Sequence, residues 1–185
     1  MKHVVVGVSG GIAAYKAADV VSQLVKASVE VRVAMTRNAT RFVAPLTFAS
    51  LSGHAVLVDD LADVDPSIPH VSWARWADLV VIAPTTANTL ARLAHGFADD
   101  ALTSLVLALE PDKPVLLAPA MNTRMWENPL VQANLDALKA VDGGRRFAVV
   151  DPVAKRLACG EEGLGALAAP ERIVEAVLAK LSATS

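Results

Sequence analysis

Three side chains of this sequence belong to types that move protons or bind carboxylates: His70, Asn122 and Cys159. An imidazole gains and loses a proton close to neutral pH, although by position alone His70 is no better a candidate than the other three histidines. Cys159 is the only cysteine and lies in the stretch Lys155 to Gly163, where we expect a glycine-containing loop with cations upstream. Because buried structural cysteines usually lie inside strands or helices, this setting favours a reactive thiol.

Asn122 belongs to the least ordinary segment of the chain, residues 119–126 with the sequence PAMNTRMW. This segment follows an apolar run that predicts a buried strand. An amide at the carboxyl end of such a strand is suited to binding a substrate carboxylate. Core packing is the alternative explanation for Met125 and Trp126.

A glycine turn follows the first predicted strand and precedes a helical pattern. The backbone amides of Gly10 and Gly11 and the hydroxyl of Ser9 would then point to a place where a phosphate could bind. The turn matches neither a Walker A loop nor the GxGxxG pattern. The second strand ends at Thr36 and Arg37 rather than at an acidic residue, which favours a phosphate over an adenosine ribose. A tight turn without a ligand is the alternative for the glycines.

Small and polar residues end the central predicted strand, in residues 83–88 with the sequence APTTAN. Their small side chains would let a flat ring approach the backbone. Taken alone, the segment is also an ordinary helix N-cap, and Asp99 and Asp100 indicate another cap rather than a catalytic pair.

Predicted strands and predicted helices alternate along the chain and would position these residues. Five apolar runs predict buried parallel strands: His3–Val8, Val29–Met35, Leu79–Ala83, Pro114–Ala118 and Phe147–Val150. Helical spacing lies between and after them, at Ile12–Lys26, Ala87–Ala94, Asp100–Leu109, Pro129–Val141 and Pro170–Leu181. This alternation predicts an α/β fold with a doubly wound parallel sheet in three layers, which binds ligands outside the carboxyl ends of its strands.

Composition narrows the function classes. The 185 residues suit one domain, and 17 basic against 19 acidic residues leave a net charge of −2 without charge runs, which argues against a nucleic-acid or anionic-membrane partner. No stretch reaches the roughly 18 apolar residues of a membrane span. A single cysteine excludes both an intrachain disulfide and a zinc site built on paired cysteines, and we expect no bound metal. The same cysteine usage suits a protein of the reducing cytoplasm. Asp59–Pro69 predicts a binding loop or lid.

Taken together, the motifs resemble the homo-oligomeric flavin-containing cysteine decarboxylase family over nearly the whole chain. Five segments occur in the family's order: 7–16, 70–78, 82–89, 119–126 and 157–160. The Pro-x-Met-Asn-x-x-Met-Trp pattern is highly specific. The resemblance implies one flavodoxin-like domain over residues 1–185, with FMN bound between the subunits of a cytoplasmic homotrimer that is sometimes arranged as a dodecamer.

The resemblance also implies roles for single residues. His70, Asn122 and Cys159 would be catalytic, with Asn122 binding the substrate carboxylate and Cys159 donating a proton. Residues that would hold FMN are Ser9, Gly10, Gly11, Thr36, Thr86, Ala87, Asn88, Thr89 and Ala120. Further substrate contacts would come from Met121 and from Ala158 and Gly160 of a flap.

The reaction implied is decarboxylation of 4′-phosphopantothenoylcysteine to 4′-phosphopantetheine in coenzyme A biosynthesis, by transient oxidation to a thioaldehyde, loss of carbon dioxide and re-reduction. One alternative is a lantibiotic-type peptidyl-cysteine decarboxylase, which has no need for a flap thiol such as Cys159. Another is a non-catalytic flavoprotein regulator, which the presence of all three catalytic residues disfavours.

Two departures from the family pattern concern the flap. Glu161 stands where relatives commonly have aspartate, and Ala166-Leu167 replaces an end that usually contains methionine. These differences bear on flap closure and substrate fit, not on the cofactor. Because bacterial relatives are often fused to a phosphopantothenate–cysteine ligase, we expect either a separate ligase partner or a chain excised from a bifunctional protein.

Overall fold

A parallel five-stranded sheet forms the centre of the molecule. The computed structural model describes residues 1–58, 69–156 and 162–183, and of Arg156 and Glu162 the backbone only. The strands are β1 (His3–Val8), β2 (Glu30–Met35), β3 (Leu79–Thr85), β4 (Val115–Pro119) and β5 (Phe147–Val149). Their order is β2-β1-β3-β4-β5, and every neighbouring pair is parallel. The predicted doubly wound parallel sheet is confirmed.

Eight α-helices accompany the sheet in the described part of the chain. They are α1 (Ala17–Lys26), α2 (Pro45–Ser52), α3 (Pro69–Trp76), α4 (Ala87–Ala94), α5 (Ala101–Leu107), α6 (Thr123–Trp126), α7 (Pro129–Ala140) and α8 (Pro170–Ala183). On one face of the sheet α1 packs against α2 and α8, and on the other α4 packs against α5 and α7 and α3 against α5. The arrangement has the expected three layers.

Burial on both faces explains why the inner strands β1, β3 and β4 are nearly continuous apolar runs. Along β1, Val4, Val6 and Val8 belong to one hydrophobic core, whereas Val5 belongs to the core on the opposite face. Successive side chains of a strand point to opposite faces, so a sheet covered by helices on both sides needs apolar residues at every position.

Several elements differ from the prediction. The first predicted helix begins as a 3₁₀ turn over Ile12–Lys16 before α1. Helices α2 and α3 were not predicted; α2 has Pro45 at its start and ends at Gly53, whose φ of +75° suits glycine. Residues 59–68 of the predicted loop or lid lie outside the described residues.

An antiparallel hairpin replaces much of the loop that was predicted around the cysteine. Strand β6 (Val153–Arg156) pairs with β7 (Glu162–Ala166), so the expectation of a loop from Lys155 to Gly163 is wrong at both ends. These strands are short, charged and glycine-containing, and they lack the apolar alternation that marks a strand in sequence. Residues 157–161, including Cys159, lie outside the described residues.

A buried arginine closes the end of the core beneath α5. The Arg146 guanidinium donates hydrogen bonds to the carbonyl of Glu110, to that of Val106 at 3.2 Å and to that of Leu109 at 3.2 Å. Burial lowers the pKa of Arg146 below its usual value, with Asp142 and Asp112 opposing the shift. Arg146 therefore adds side-chain donors to carbonyls at and just beyond the carboxyl end of α5, where a helix no longer supplies a full set of amide donors.

None of the helices in the described ranges is long and apolar enough to span a bilayer.

Candidate functional site

A large cavity opens at the carboxyl ends of the first four strands. Its volume is about 1390 Å³, and its walls come from the residues that follow β1, β2, β3 and β4 and from the β6–β7 hairpin. It lies where the chain leaves β1 and β3 in opposite directions, the place where doubly wound sheets bind ligands. Among its lining residues are ten of the sequence-predicted ones: Gly10, Gly11, Thr36, Thr86, Ala87, Asn88, Thr89, Ala120, Met121 and Asn122.

Ser9 does not present its hydroxyl to the cavity as the sequence suggested. The side chain is fully buried; its Oγ donates to the Pro84 carbonyl at 2.7 Å and accepts from the Thr86 amide at 3.0 Å. These bonds join the turn after β1 to the end of β3. Ser9 therefore fixes the distance between two walls of the cavity.

The two glycines of the turn have different roles. A Cβ at Gly10 would overlap Asn38, so glycine allows the turn after β1 to pack tightly against the turn after β2. A Cβ at Gly11 would lie 3.4 Å from Thr86 Cγ2, which is an ordinary contact. Close packing thus explains Gly10 without any ligand, while both residues still line the cavity.

Helix α4 directs its amino end at the cavity. Its N-cap Thr86 accepts a hydrogen bond from the Thr89 amide at 3.3 Å, and the two hydroxyls lie 3.1 Å apart. The amides of Ala87 and Asn88, in the first turn, have no carbonyl partner within the helix. Since both residues line the cavity, this end of the helix is suited to an anionic or polar ligand group.

Asn122 combines a structural bond with a free donor group. It is the N-cap of α6, and its Oδ1 accepts a hydrogen bond from the Met125 amide at 2.8 Å. Because this bond occupies the oxygen, the side-chain NH₂ is the part available to donate to a carboxylate. Trp126 is buried in the core, whereas Met125 is exposed and lines the cavity. Core packing therefore accounts for the tryptophan but not for this methionine.

The β6–β7 hairpin packs directly on the Asn122 turn. The Met121 amide donates to the Gly165 carbonyl at 2.9 Å. A Cβ at Gly163 would overlap Thr123 Oγ1, and one at Gly165, whose φ is +139°, would overlap the Met121 carbonyl. Glycine at both positions is what allows the hairpin to approach so closely.

His70 lies in the first turn of α3, partly buried, and is not among the residues that line the cavity of its own chain. Helix α3 is held to the sheet by Arg32, whose guanidinium lies 4.3 Å from the ring centroid of Trp76 and 5.4 Å from that of Trp73. The structure brings Asn122 and the predicted cofactor residues together but does not bring His70 to them. Ala158, Cys159 and Gly160 lie outside the described residues.

Five charged residues that sequence reasoning did not assign to the cavity also line it: Lys16, Arg92, Asp99, Asp100 and Lys155. Arg92 Nη1 lies 2.9 Å from Asp99 Oδ1 and 2.8 Å from Asp100 Oδ2. Asp100 is also the predicted cap, since its Oδ1 accepts from the Thr103 amide at 2.8 Å. No local sequence signal marks Arg92 as the partner of these carboxylates.

Fold and cavity define a doubly wound α/β protein with a large ligand site at its topological switch point. Comparison with known proteins gives the family: the Flavoprotein family model matches residues 1–182, and the chain belongs to that family.

Two curated bacterial relatives cover nearly the whole chain. A protein named probable phosphopantothenoylcysteine decarboxylase from Streptococcus mutans is 45% identical over 177 residues, which cover 95% of this chain and 97% of that protein. The coenzyme A biosynthesis bifunctional protein CoaBC of Bacillus subtilis is 46% identical over 175 residues. That match covers 94% of this chain and 42% of the relative, so the chain spans about two fifths of the bifunctional protein.

Solved structures share the fold over its full extent. A variant of PPC decarboxylase complexed with pantothenoylaminoethenethiol has a TM-score of 0.86 and 32% identity, covering 98% of each chain. The FMN binding protein AtHal3 has a TM-score of 0.83 and 31% identity, covering 100% of this chain and 98% of that one.

Proposed function

We propose that this chain is an FMN-dependent phosphopantothenoylcysteine decarboxylase. The observation that carries the proposal is one cavity that joins a site suited to a phosphate, near β1 and β2, with the Asn122 amide at the end of β4. The curated Streptococcus mutans relative, 97% of which the match covers, and the solved PPC decarboxylase variant support the same substrate class through the activity in their names.

The residues present fit FMN. Small side chains at Gly11, Ala87 and Ala120 leave flat room beside the backbone, and the amides at the start of α4 face the same space. Thr36 and Arg37 at the end of β2 supply a hydroxyl and a cation for the phosphate. The volume of about 1390 Å³ exceeds the ~300–1,000 Å³ of ordinary ligand pockets, which leaves space for a substrate beside the cofactor.

Decarboxylation of a cysteine derivative needs an electron sink, because direct loss of carbon dioxide would leave an unstabilised carbanion. Bound FMN supplies reversible hydride transfer, which makes such a sink accessible at the carbon that carries sulfur. In this chain the Asn122 NH₂ binds and orients the carboxylate, His70 moves a proton, and the Cys159 thiol protonates the decarboxylated product. Met121, Ala158 and Gly160 are the further proposed substrate contacts, and of these Ala158 and Gly160 lie outside the described residues.

A homo-oligomer, trimer or dodecamer, completes the proposed site. Ile12 is 60% exposed and Tyr15 58% exposed, and both line the cavity. Large apolar side chains at the rim of a site are typical of surfaces that another molecule covers. That His70 does not line the cavity of its own chain supports the same arrangement, since a neighbouring copy could supply this residue. We also propose a cytoplasmic location and a ligase acting on the preceding step, fused or separate.

The test is to purify the protein, record its visible spectrum and sedimentation, and measure carbon dioxide and phosphopantetheine formed from phosphopantothenoylcysteine. We expect a yellow oligomer that forms both products in equal amounts. A peptide with a carboxyl-terminal cysteine tests the lantibiotic-type alternative. A protein that binds added FMN but leaves both substrates unchanged would contradict the proposal and favour a regulator.

A further inference from the structure

Lys155 occupies a defined place on the hairpin that packs against the Asn122 turn. In the antiparallel pair β6–β7, Lys155 lies directly opposite Gly163. Opposed residues of such a pair project from the same face of the sheet. The face of Gly163 is the one against Thr123, because a Cβ there would overlap Thr123 Oγ1. The Lys155 side chain thus leaves the hairpin on the side of Thr123 and Asn122, and it lines the cavity.

Several contacts join the β6–β7 hairpin to residues 121–123. The hydrogen bond from the Met121 amide to the Gly165 carbonyl joins β7 to the residue before Asn122. The close approach of Gly163 to Thr123 and of Gly165 to the Met121 carbonyl places the hairpin backbone directly against the Asn122 turn. The backbone of Lys155, which is paired with Gly163, therefore lies beside that turn, and its exposed side chain can extend into the cavity.

The cationic side chains that line the cavity differ in whether a carboxylate pairs with them. Arg92 is bound to both Asp99 and Asp100, so its charge is already neutralised. Lys16 and Arg37 line the cavity from the segments that follow β1 and β2, the two strands on the other side of β3 from β4. Lys155 is the cavity-lining cation of the hairpin that packs on the Asn122 turn, and among the described residues no salt bridge joins it to another side chain.

We propose that Lys155 binds an anionic group of the substrate, either its carboxylate or its phosphate, and thereby selects acidic substrates. The inference rests on the proposed decarboxylase function. Asn122 supplies neutral donors only, so a neighbouring ammonium group adds the charge that distinguishes an anion from a neutral amide or alcohol. Lys155 is a specificity-determining residue that acts on binding rather than on the chemical step.

The experiment compares Lys155→Gln and Lys155→Arg with the wild-type holoenzyme. Lys26→Gln is the matched control, because Lys26 is an exposed lysine at the carboxyl end of α1 and is not among the residues that line the cavity. Loss of one charge-assisted hydrogen bond predicts a KM for phosphopantothenoylcysteine raised roughly tenfold to a hundredfold in Lys155→Gln, with kcat changed less than about twofold. Lys155→Arg should recover most of this loss, and Lys26→Gln should match the wild type.

Two further ligands identify the anionic group, and calorimetry measures their affinities independently of turnover. Pantothenoylcysteine has the carboxylate but no phosphate, and phosphopantetheine has the phosphate but no carboxylate. Weakened binding of the first alone by Lys155→Gln assigns the carboxylate, and weakened binding of the second alone assigns the phosphate.

The inference would be wrong if Lys155→Gln, with unchanged flavin content, had the same KM as the wild type and the same affinities for both ligands. A loss of kcat common to Lys155→Gln and Lys155→Arg with KM unchanged would also overturn it. A wild-type protein that binds phosphopantetheine but decarboxylates nothing would refute the proposed function instead, and the calorimetric comparison would still decide the role of Lys155.

Discussion

Replacing Asn122 by aspartate separates its two roles, because the substitution keeps the helix cap and removes the donor group. Aspartate and asparagine are equally good N-caps, so the hydrogen bond from the Met125 amide, 2.8 Å long, should remain. We expect the free energy of unfolding to change by less than about 0.5 kcal/mol and the flavin to remain bound. The substitution replaces the side-chain NH₂, with its two N–H donors, by a second oxygen and so places a negatively charged carboxylate at the cavity.

The size of the effect follows from two losses. A hydrogen bond to a charged group contributes about 1.5–3 kcal/mol. Like charges 4 Å apart near a protein surface repel by up to about 4 kcal/mol, which the solvent beside exposed Asn122 reduces. A combined loss of about 3–4 kcal/mol corresponds to a kcat/KM for phosphopantothenoylcysteine lower by roughly two to three orders of magnitude.

The chain contains a matched control in Asn128, the N-cap of α7, whose Oδ1 accepts from the Leu130 amide at 2.9 Å. Asn128→Asp makes the same chemical change at an equivalent cap that does not line the cavity, so its carbon dioxide release should equal that of the wild type. If Asn122→Asp retained kcat/KM within about threefold of wild type, or if Asn128→Asp lost as much, the amide would not be the carboxylate ligand.

Four further substitutions have distinct expected outcomes. Cys159→Ser should release about one equivalent of carbon dioxide per flavin and then stop with bleached flavin, because a hydroxyl is a much weaker acid than a thiol; repeated turnover in a stopped-flow assay would contradict this. His70→Asn should abolish carbon dioxide release while the visible spectrum of bound flavin persists; near-normal turnover would place the proton-transfer group elsewhere. Gly165→Ala should move the hairpin away from the Met121 carbonyl, at a strain of about 1–3 kcal/mol, and raise the substrate KM; an unchanged KM and melting temperature would show that the contact relaxes freely. Arg146→Met should remove three hydrogen bonds and leave the Leu109 carbonyl without a donor, destabilise the fold by about 2–4 kcal/mol and lower the melting temperature by roughly 4–16 °C without affecting flavin affinity; a shift under 2 °C in calorimetry would refute that role.

Local sequence was sufficient to predict the elements of the sheet. The inner strands β1, β3 and β4 are almost wholly apolar because both of their faces are buried, whereas the edge strand β2 alternates buried residues with partly buried Glu30 and Arg32. The caps at Thr86 and Asp100 were predictable for the same reason, since a capping side chain bonds an amide three residues away. The Asn122 segment was recognisable from its residue types and spacing alone.

Other features depend on contacts between residues distant in sequence, which no local pattern encodes. The Ser9 hydroxyl looked like a ligand group, but in the folded chain Pro84 and Thr86 occupy it. The hairpin was predicted as a loop because its pairing is stabilised by the glycine contacts with the Asn122 turn rather than by apolar alternation.

The cavity shows the same division between local and tertiary information. Sequence identified ten of the residues that line it, because they follow predicted strands. It did not identify Lys155, whose position depends on the pairing with Gly163 and on the packing of that glycine against Thr123. Secondary structure follows from interactions within a few residues of the chain, whereas the charge and shape of a site arise where separate elements meet, and that meeting is decided only by the packed tertiary structure.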